Sequence, residues 1–396
     1  MEFNMKMIFA LMLVMNASVF AVEIQADNVI LSNALDLTRS GARAKRGNDI
    51  WGWTDPATGK EYAIMGMDSK TSFVDITDPM NPIHLADVKT KTFSSTWRDI
   101  KVYKHYAYIV SEAFRHGMQV FDLTRLRFLD GKKVEILKED LHYNKFGNAH
   151  NIFINEETGY AYAVGTSTCD GGLHIINIKD PLAPSFVNCV GRGVYELPGN
   201  RKHGDAYTHD VQCVVYRGAD QDYQGREICV SSNEDTVNVV DVTDKSKPYQ
   251  ISVATYDGVR YTHQGWLTED HNYYLLGDEL DEQKYGTKTK TFIWDFRDLD
   301  NIKNFAIFEH KTNAIDHNMY VKGDYVYQAN YTAGLRILDI SDIESGNVVE
   351  AGYLDTLPKD DRASFDGVWS TYPYYDSGTV TISGTDGVLY ITRPNL

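Results

Sequence analysis

Tyr207-Thr-His-Asp-Val-Gln-Cys-Val-Val-Tyr216 sets a histidine and a carboxylate directly before an apolar, strand-like run, and the chain repeats this arrangement. Thr262-His-Gln-Gly-Trp266 is the nearest copy; Ala149-His-Asn-Ile-Phe153 and Asp316-His-Asn-Met-Tyr320 are two more. Weaker echoes stand at Gly47-Asn-Asp-Ile50, Trp97-Arg-Asp-Ile100 and Phe365-Asp-Gly-Val368. Seven starts, roughly 50–60 residues apart, mark a propeller or array rather than one irregular core.

Each repeat follows the same order. A second strand such as Tyr160-Ala-Tyr-Ala-Val164 comes next, then a polar loop, then a β-branched strand ending in aspartate. Phe73-Val-Asp-Ile-Thr-Asp78, Val237-Asn-Val-Val-Asp-Val-Thr-Asp244 and Leu335-Arg-Ile-Leu-Asp-Ile-Ser-Asp342 are examples of that third strand. Asp78-Pro-Met-Asn-Pro82 and Asp180-Pro-Leu-Ala-Pro184 then reverse the chain, because proline presets φ and aspartate bonds local backbone. Four short strands per repeat without helical periodicity predict an all-β fold, a seven-bladed β-propeller of four-stranded antiparallel blades. The last repeat supplies only three strands, and Asn28-Val-Ile-Leu-Ser-Asn-Ala-Leu35 is an orphan that would complete it and close the ring. The count becomes six or eight if the weak first start is misread. No linker interrupts the repeats, so residues 22–396 are expected to form one domain.

The 396 residues are 43% hydrophobic and 24% charged, with 26 tyrosines, which suits folded β-structure. A net charge of −16 argues against nucleic acid and anionic lipid as partners. Residues 7–14 are apolar after Lys6, and Val19-Phe-Ala21 offers small residues for a peptidase, so residues 1–21 read as a signal peptide. No later run is long enough for a membrane span. A secreted or periplasmic protein is expected. Four cysteines without a CxxC pair fit that compartment. Cys213 and Cys229 flank the polar loop 217–225 and are expected to pair, as are Cys169 and Cys189 within one repeat.

The pattern Leu335-Arg-Ile-Leu-Asp-Ile340 resembles the LVIVD repeat. The strings YTHDVQCVVYRGADQDYQGREIC from Tyr207, YTHQGWLTEDHNYYLLGDELDE from Tyr261 and NYTAGLRILDI from Asn330 resemble the choice-of-anchor B family of exported bacterial proteins. That resemblance implies a propeller-like exported domain, often with a variable C-terminal sorting anchor, and brings no assigned activity. Thr392-Arg-Pro-Asn-Leu396 carries no such anchor, so surface tethering is not expected.

First strands line the channel of a propeller, so His150, His209, His263 and His317 are expected on one arc at one mouth. Imidazole is the commonest transition-metal ligand, and the ring is a candidate divalent or transition-metal site. A second reading stays open, in which the histidines only brace blade junctions. At the same position the other starts carry Asn48, Arg98 and Asp366, and Arg98 would favour an anionic ligand. Glu112, Glu234, Asp278 and Glu279 follow second strands and would orient the histidines or bind a cation. Trp266, Tyr331 and Trp369 would line the same mouth, where aromatic rings can stack a sugar or peptide. His116, His142 and His203 read as scattered loop residues. GxSxG, HExxH, Walker and Rossmann signatures are missing, so no catalytic residue is assigned. The expected function is binding of an unidentified ligand or protein partner at the channel mouth. A metal-dependent oxidoreductase or hydrolase and an envelope scaffold are the alternatives.

Overall fold

The computed structural model describes residues 24–195 and 206–396. The expected signal peptide and His203 lie outside them. The described residues form seven sheets, antiparallel apart from one added strand, and their first strands are Gly47–Thr54, Arg98–Tyr103, Asn151–Asn155, Asp210–Val215, Thr262–Leu267, Met319–Lys322 and Val368–Tyr372. Each first strand touches the next, and the seventh returns to the first, so the blades form a closed ring around an axis.

The ring is held together between its blades. Seven apolar clusters are each shared by two successive sheets; Phe73 and Phe121, for instance, meet between blades 1 and 2 with ring centroids 4.6 Å apart. The strand Val29–Asp36 pairs antiparallel with Val388–Pro394 as the outer strand of blade 7, closing the circle as expected. Two blades carry a fifth strand that the repeat pattern does not contain. Glu135–Leu137 lies parallel to Ile83–Lys89 in blade 1, and Gln25–Asp27 covers Asn347–Asp355 in blade 6. Both cover outer edges that would otherwise offer unpaired backbone groups to another chain.

The recurring aspartate of the third strand has one local task. Asp75, Asp122, Asp241, Asp295 and Asp339 each accept the backbone N–H two residues on, at 2.8–3.0 Å, and Asn177 does so in blade 3. In blades 1 to 5 the strand ends at this residue, whose side chain fixes the turn that follows, whereas in blade 6 it runs on to Asp342. Both expected disulfides are formed, Cys213–Cys229 between directly paired residues and Cys169–Cys189 across the outer half of blade 3. Bridges of this kind point to folding outside the reducing cytosol. Among the described residues no helix is long and apolar enough to cross a membrane.

One ion pair clamps blades 1 and 2. Arg127 Nε and Nη2 donate to Asp55 at 2.7 and 2.6 Å, and Asp55 is fully buried. The Arg127 hydrogen bonds, acting against burial, lower the Asp55 carboxyl from its usual 3.8 to about 2. A folded-state value below the unfolded one gives stability that is present above pH ~4 and lost as pH falls through about 2. Arg127→Met should therefore move acid unfolding, followed by tryptophan fluorescence, to higher pH.

Candidate functional site

Every first strand starts at the same end of the ring, so equivalent residues share a level along the axis. The uppermost level carries Arg98, His150, His209, His263, His317 and Trp369, which line one cavity together with Trp97. The next residue of each strand is polar: Asp49, Asp99, Asn151, Asp210, Gln264, Asn318 and Ser370. Two residues further on stand Trp51, Lys101, Phe153, Gln212, Trp266, Tyr320 and Tyr372.

The four histidines form a continuous arc on blades 3 to 6. Successive ring centroids are 4.1, 4.2 and 4.5 Å apart. Two imidazoles bound to one ion through nitrogens about 2.1 Å away would hold their centroids about 4.6 Å apart at a right angle and about 5.3 Å apart at the tetrahedral angle, so the arc as it stands is the tighter. The ring nitrogens are differentiated by their partners. His150 Nδ1 faces Glu112 Oε1 at 2.6 Å, His209 Nδ1 donates to the His263 carbonyl at 3.0 Å, and His317 Nδ1 donates to the Trp369 carbonyl. A proton on Nδ1 leaves the Nε2 lone pair as the free ligand atom. Burial pushes His209 and His263 well below the usual imidazole value and His317 down to about 3, so these rings are neutral.

Glu279 stands between two of the histidines. Its oxygens lie 3.6 Å from His263 Nε2 and from His317 Nε2, and the ligand atoms of these three residues all fall within 4.8 Å of one another. Tyr331 donates to Glu279 at 3.1 Å and packs on the His317 ring, while Trp369 meets His317 edge-on at 4.9 Å. Burial pushes the Glu279 carboxyl up to about 8. Behind it Asp281, Glu282 and Asp316 are buried, and among the described residues neither oxygen of Glu282 or Asp316 has a hydrogen-bond partner. Burial, then the neighbouring carboxylates, push Asp316 well up and Glu282 to about 11, which leaves Glu282 uncharged.

On blade 2, beside the His150 end of the arc, Arg98 is 2% exposed. Its Nε donates to the Met67 carbonyl at 3.0 Å and its Nη1 to His116 Nε2 at 3.1 Å, while Nη2 has no partner among the described residues. Burial lowers this guanidinium to about 10, still charged at neutral pH. The open space between arginine and histidines is about 20 Å³, room for one ion or one water. Beneath it Lys101 Nζ holds Asp99 at 2.6 Å and approaches Asp49 at 3.6 Å. Burial pushes Asp49 well up and Asp210 to about 8, whereas Lys101 overcomes burial at Asp99 and keeps it ionised.

The cavity thus gathers the four expected histidines with Arg98 and Trp369, backed by Glu112, Glu279 and Tyr331. Three other expected residues stand elsewhere. Asp278 accepts the N–H groups of Arg260 and Tyr261 at 2.7 Å and braces the loop before His263. Glu234 stands behind Tyr261, whose ring meets His209 at 5.2 Å, and its carbonyl accepts the Thr262 N–H just before His263. Trp266 follows His263 by three residues, which carries it past the polar level to the far end of the channel. In the seventh start Trp369 holds the histidine level and Asp366 does not: Gly367 turns at φ +100° against the Tyr331 carbonyl, and the strand begins only at Val368. His116 is fully buried, orienting Arg98 instead of lying on the surface. The polar level was missed although its signal was present, as an amide or acid after every histidine.

The LVIVD repeat family is matched over residues 317–351, the sixth blade. No curated protein matches the chain. Among solved structures it is similar to the Cps50 (Swd1) β-propeller domain of Myceliophteria thermophila, with a TM-score of 0.57 and 13% identity over 92% of this chain and 99% of that one. At that identity the likeness is one of fold. The chain is a seven-bladed β-propeller whose sixth blade matches the LVIVD repeat.

Proposed function

We propose that this protein is an exported binding propeller that holds one transition-metal ion on its axis, with His150, His209, His263 and His317 as ligands. Its signal peptide, residues 1–21, is removed on export. The observation that carries the reading is the commitment of Nδ1 on three of the four histidines, which turns their Nε2 atoms to a space of about 20 Å³. Glu112 acts as a carboxylate behind a histidine, the usual outer partner of a metal-bound imidazole. The arc occupies one side of the cavity, and Arg98 also lines it, so a charged guanidinium stands near the remaining ligand positions and suits an anion there. Open positions on a histidine-held metal are also what a hydrolase or oxidoreductase uses, and this one-sidedness favours a metal-dependent enzyme as the second reading.

Protein purified without a histidine tag should carry close to one transition-metal ion per chain by mass spectrometry of the metal. His209→Ala/His263→Ala should reduce it to background while the circular dichroism stays that of the parent. Metal-free protein that takes up neither Zn²⁺ nor Cu²⁺ in titration would overturn the reading.

A further inference from the structure

The other end of the channel opens into a larger cavity of about 490 Å³, within the range of small-molecule sites. Its walls are aromatic. Trp51 meets Tyr372 at 5.0 Å, Phe153 meets Trp266 at 5.7 Å, and Tyr374 packs on Tyr372 at 5.4 Å. Trp51, Phe153 and Trp266 are only half-buried, although they come from the innermost strands. Among the described residues neither the Trp51 nor the Trp266 indole N–H meets an acceptor.

The charges around this cavity are one-sided. Lys101 is held by Asp99 and lies over the Trp51 ring at 4.6 Å, so its ammonium is already matched. Lys322 gives its protons to the Pro373 and Tyr375 carbonyls at 2.8 and 3.1 Å. Glu156, which lines the cavity, has no hydrogen bond or ion pair among the described residues. Glu269, also lining it, accepts one backbone N–H from Gly323 at 2.7 Å and keeps its second oxygen free. Aromatic faces with spare carboxylates and no spare cation select a positive charge. A neutral or anionic ligand would leave both carboxylates unmatched.

We propose that this cavity binds a small organic cation, an amine or quaternary ammonium, seated against Trp266 and Tyr372 with Glu156 and Glu269 as counter-charges. Lys101 over Trp51 is the chain's own instance of the same contact. The site is separate from the histidine arc, with the polar level of the channel between them.

Choline and putrescine titrated calorimetrically into the full mature protein test this, with and without added Zn²⁺ so that the metal reading can fail without affecting the result. Saturable binding of either is expected, weakening as salt rises, and Trp266→Ala should lower its affinity about tenfold. Glu156→Gln at the rim, which leaves the aromatic wall intact, should weaken it several-fold and flatten the salt dependence. The proposal is overturned if neither cation binds at millimolar concentration. It is equally overturned if cellobiose, a neutral sugar, binds in their place and loses affinity in Trp266→Ala, or if both variants bind the cations as the parent does.

Discussion

A chain that begins at residue 38 should not fold, because the segment before it is the clasp of the ring. Val29–Asp36 pairs along almost its whole length with Val388–Pro394. Its two ends reach different interfaces: Val29 packs between blades 6 and 7, and Leu37 between blades 7 and 1. Gln25–Asp27 extends the same segment onto blade 6. Burying Val29 and Leu37 alone is worth about 3–6 kcal/mol, against a net stability of about 5–15 kcal/mol for a whole protein. The backbone pairing of the strand and the protection of the blade 7 edge come on top of that. The truncated chain should therefore elute as aggregate and show no cooperative melt. A synthetic peptide of residues 24–37 added during refolding should restore both. A truncated chain melting at the parent temperature would show that the ring does not need this clasp.

That clasp was legible because it is a deficit: three strands in the last repeat and one unpaired strand at the other end of the chain. The seven starts and the third-strand aspartates were legible for a related reason, each being a local device repeated in register. The histidine arc followed from the same repetition. Residues whose role depends on a neighbouring blade were harder to read. Trp266 is three positions from His263 in sequence yet faces the opposite mouth, since depth along the axis advances with every residue of a first strand. His116 looks like a loop histidine until Arg98 is placed against it from the adjacent strand. Asp366 occupies the right place in the repeat, but the turn at Gly367 moves the strand start past it. Glu135–Leu137 lies in a long excursion between the third and fourth strands of blade 2 and pairs with blade 1, a partner its own repeat does not contain.

Lys70→Met should destabilise the protein by about 3–5 kcal/mol, the usual consequence of leaving one partner of a buried ion pair alone. Lys70 has no exposed side-chain surface, and its Nζ donates to the Leu37 and Ser40 carbonyls at 2.9 Å and to Asp87 at 3.1 Å. Asp87, equally buried, also receives Ser72 Oγ at 2.7 Å, His84 Nε2 at 2.8 Å and the Ala42 N–H at 2.6 Å. The pair thus fastens residues 37–42, the continuation of the clasp, onto blade 1. Burial pushes the Asp87 carboxyl up, but His84, Lys70 and Ser72 together bring it below its usual 3.8. With the folded value lower than the unfolded one, Asp87 contributes stability above pH ~4 and loses it as pH falls through the folded value. Without Lys70 the push of burial faces less opposition, and the folded carboxyl rises. The variant's deficit is then greatest near neutral pH, where Asp87 must stay charged or take up a proton, and shrinks as acid supplies that proton. Melting temperatures of parent and variant between pH 7 and pH 4 should accordingly converge. Lys70→Met/Asp87→Leu should recover much of the loss at pH 7, since it removes the unmatched carboxylate. A constant gap across that range, with no recovery in the double variant, would assign the cost to the two orphaned carbonyls of Leu37 and Ser40 instead.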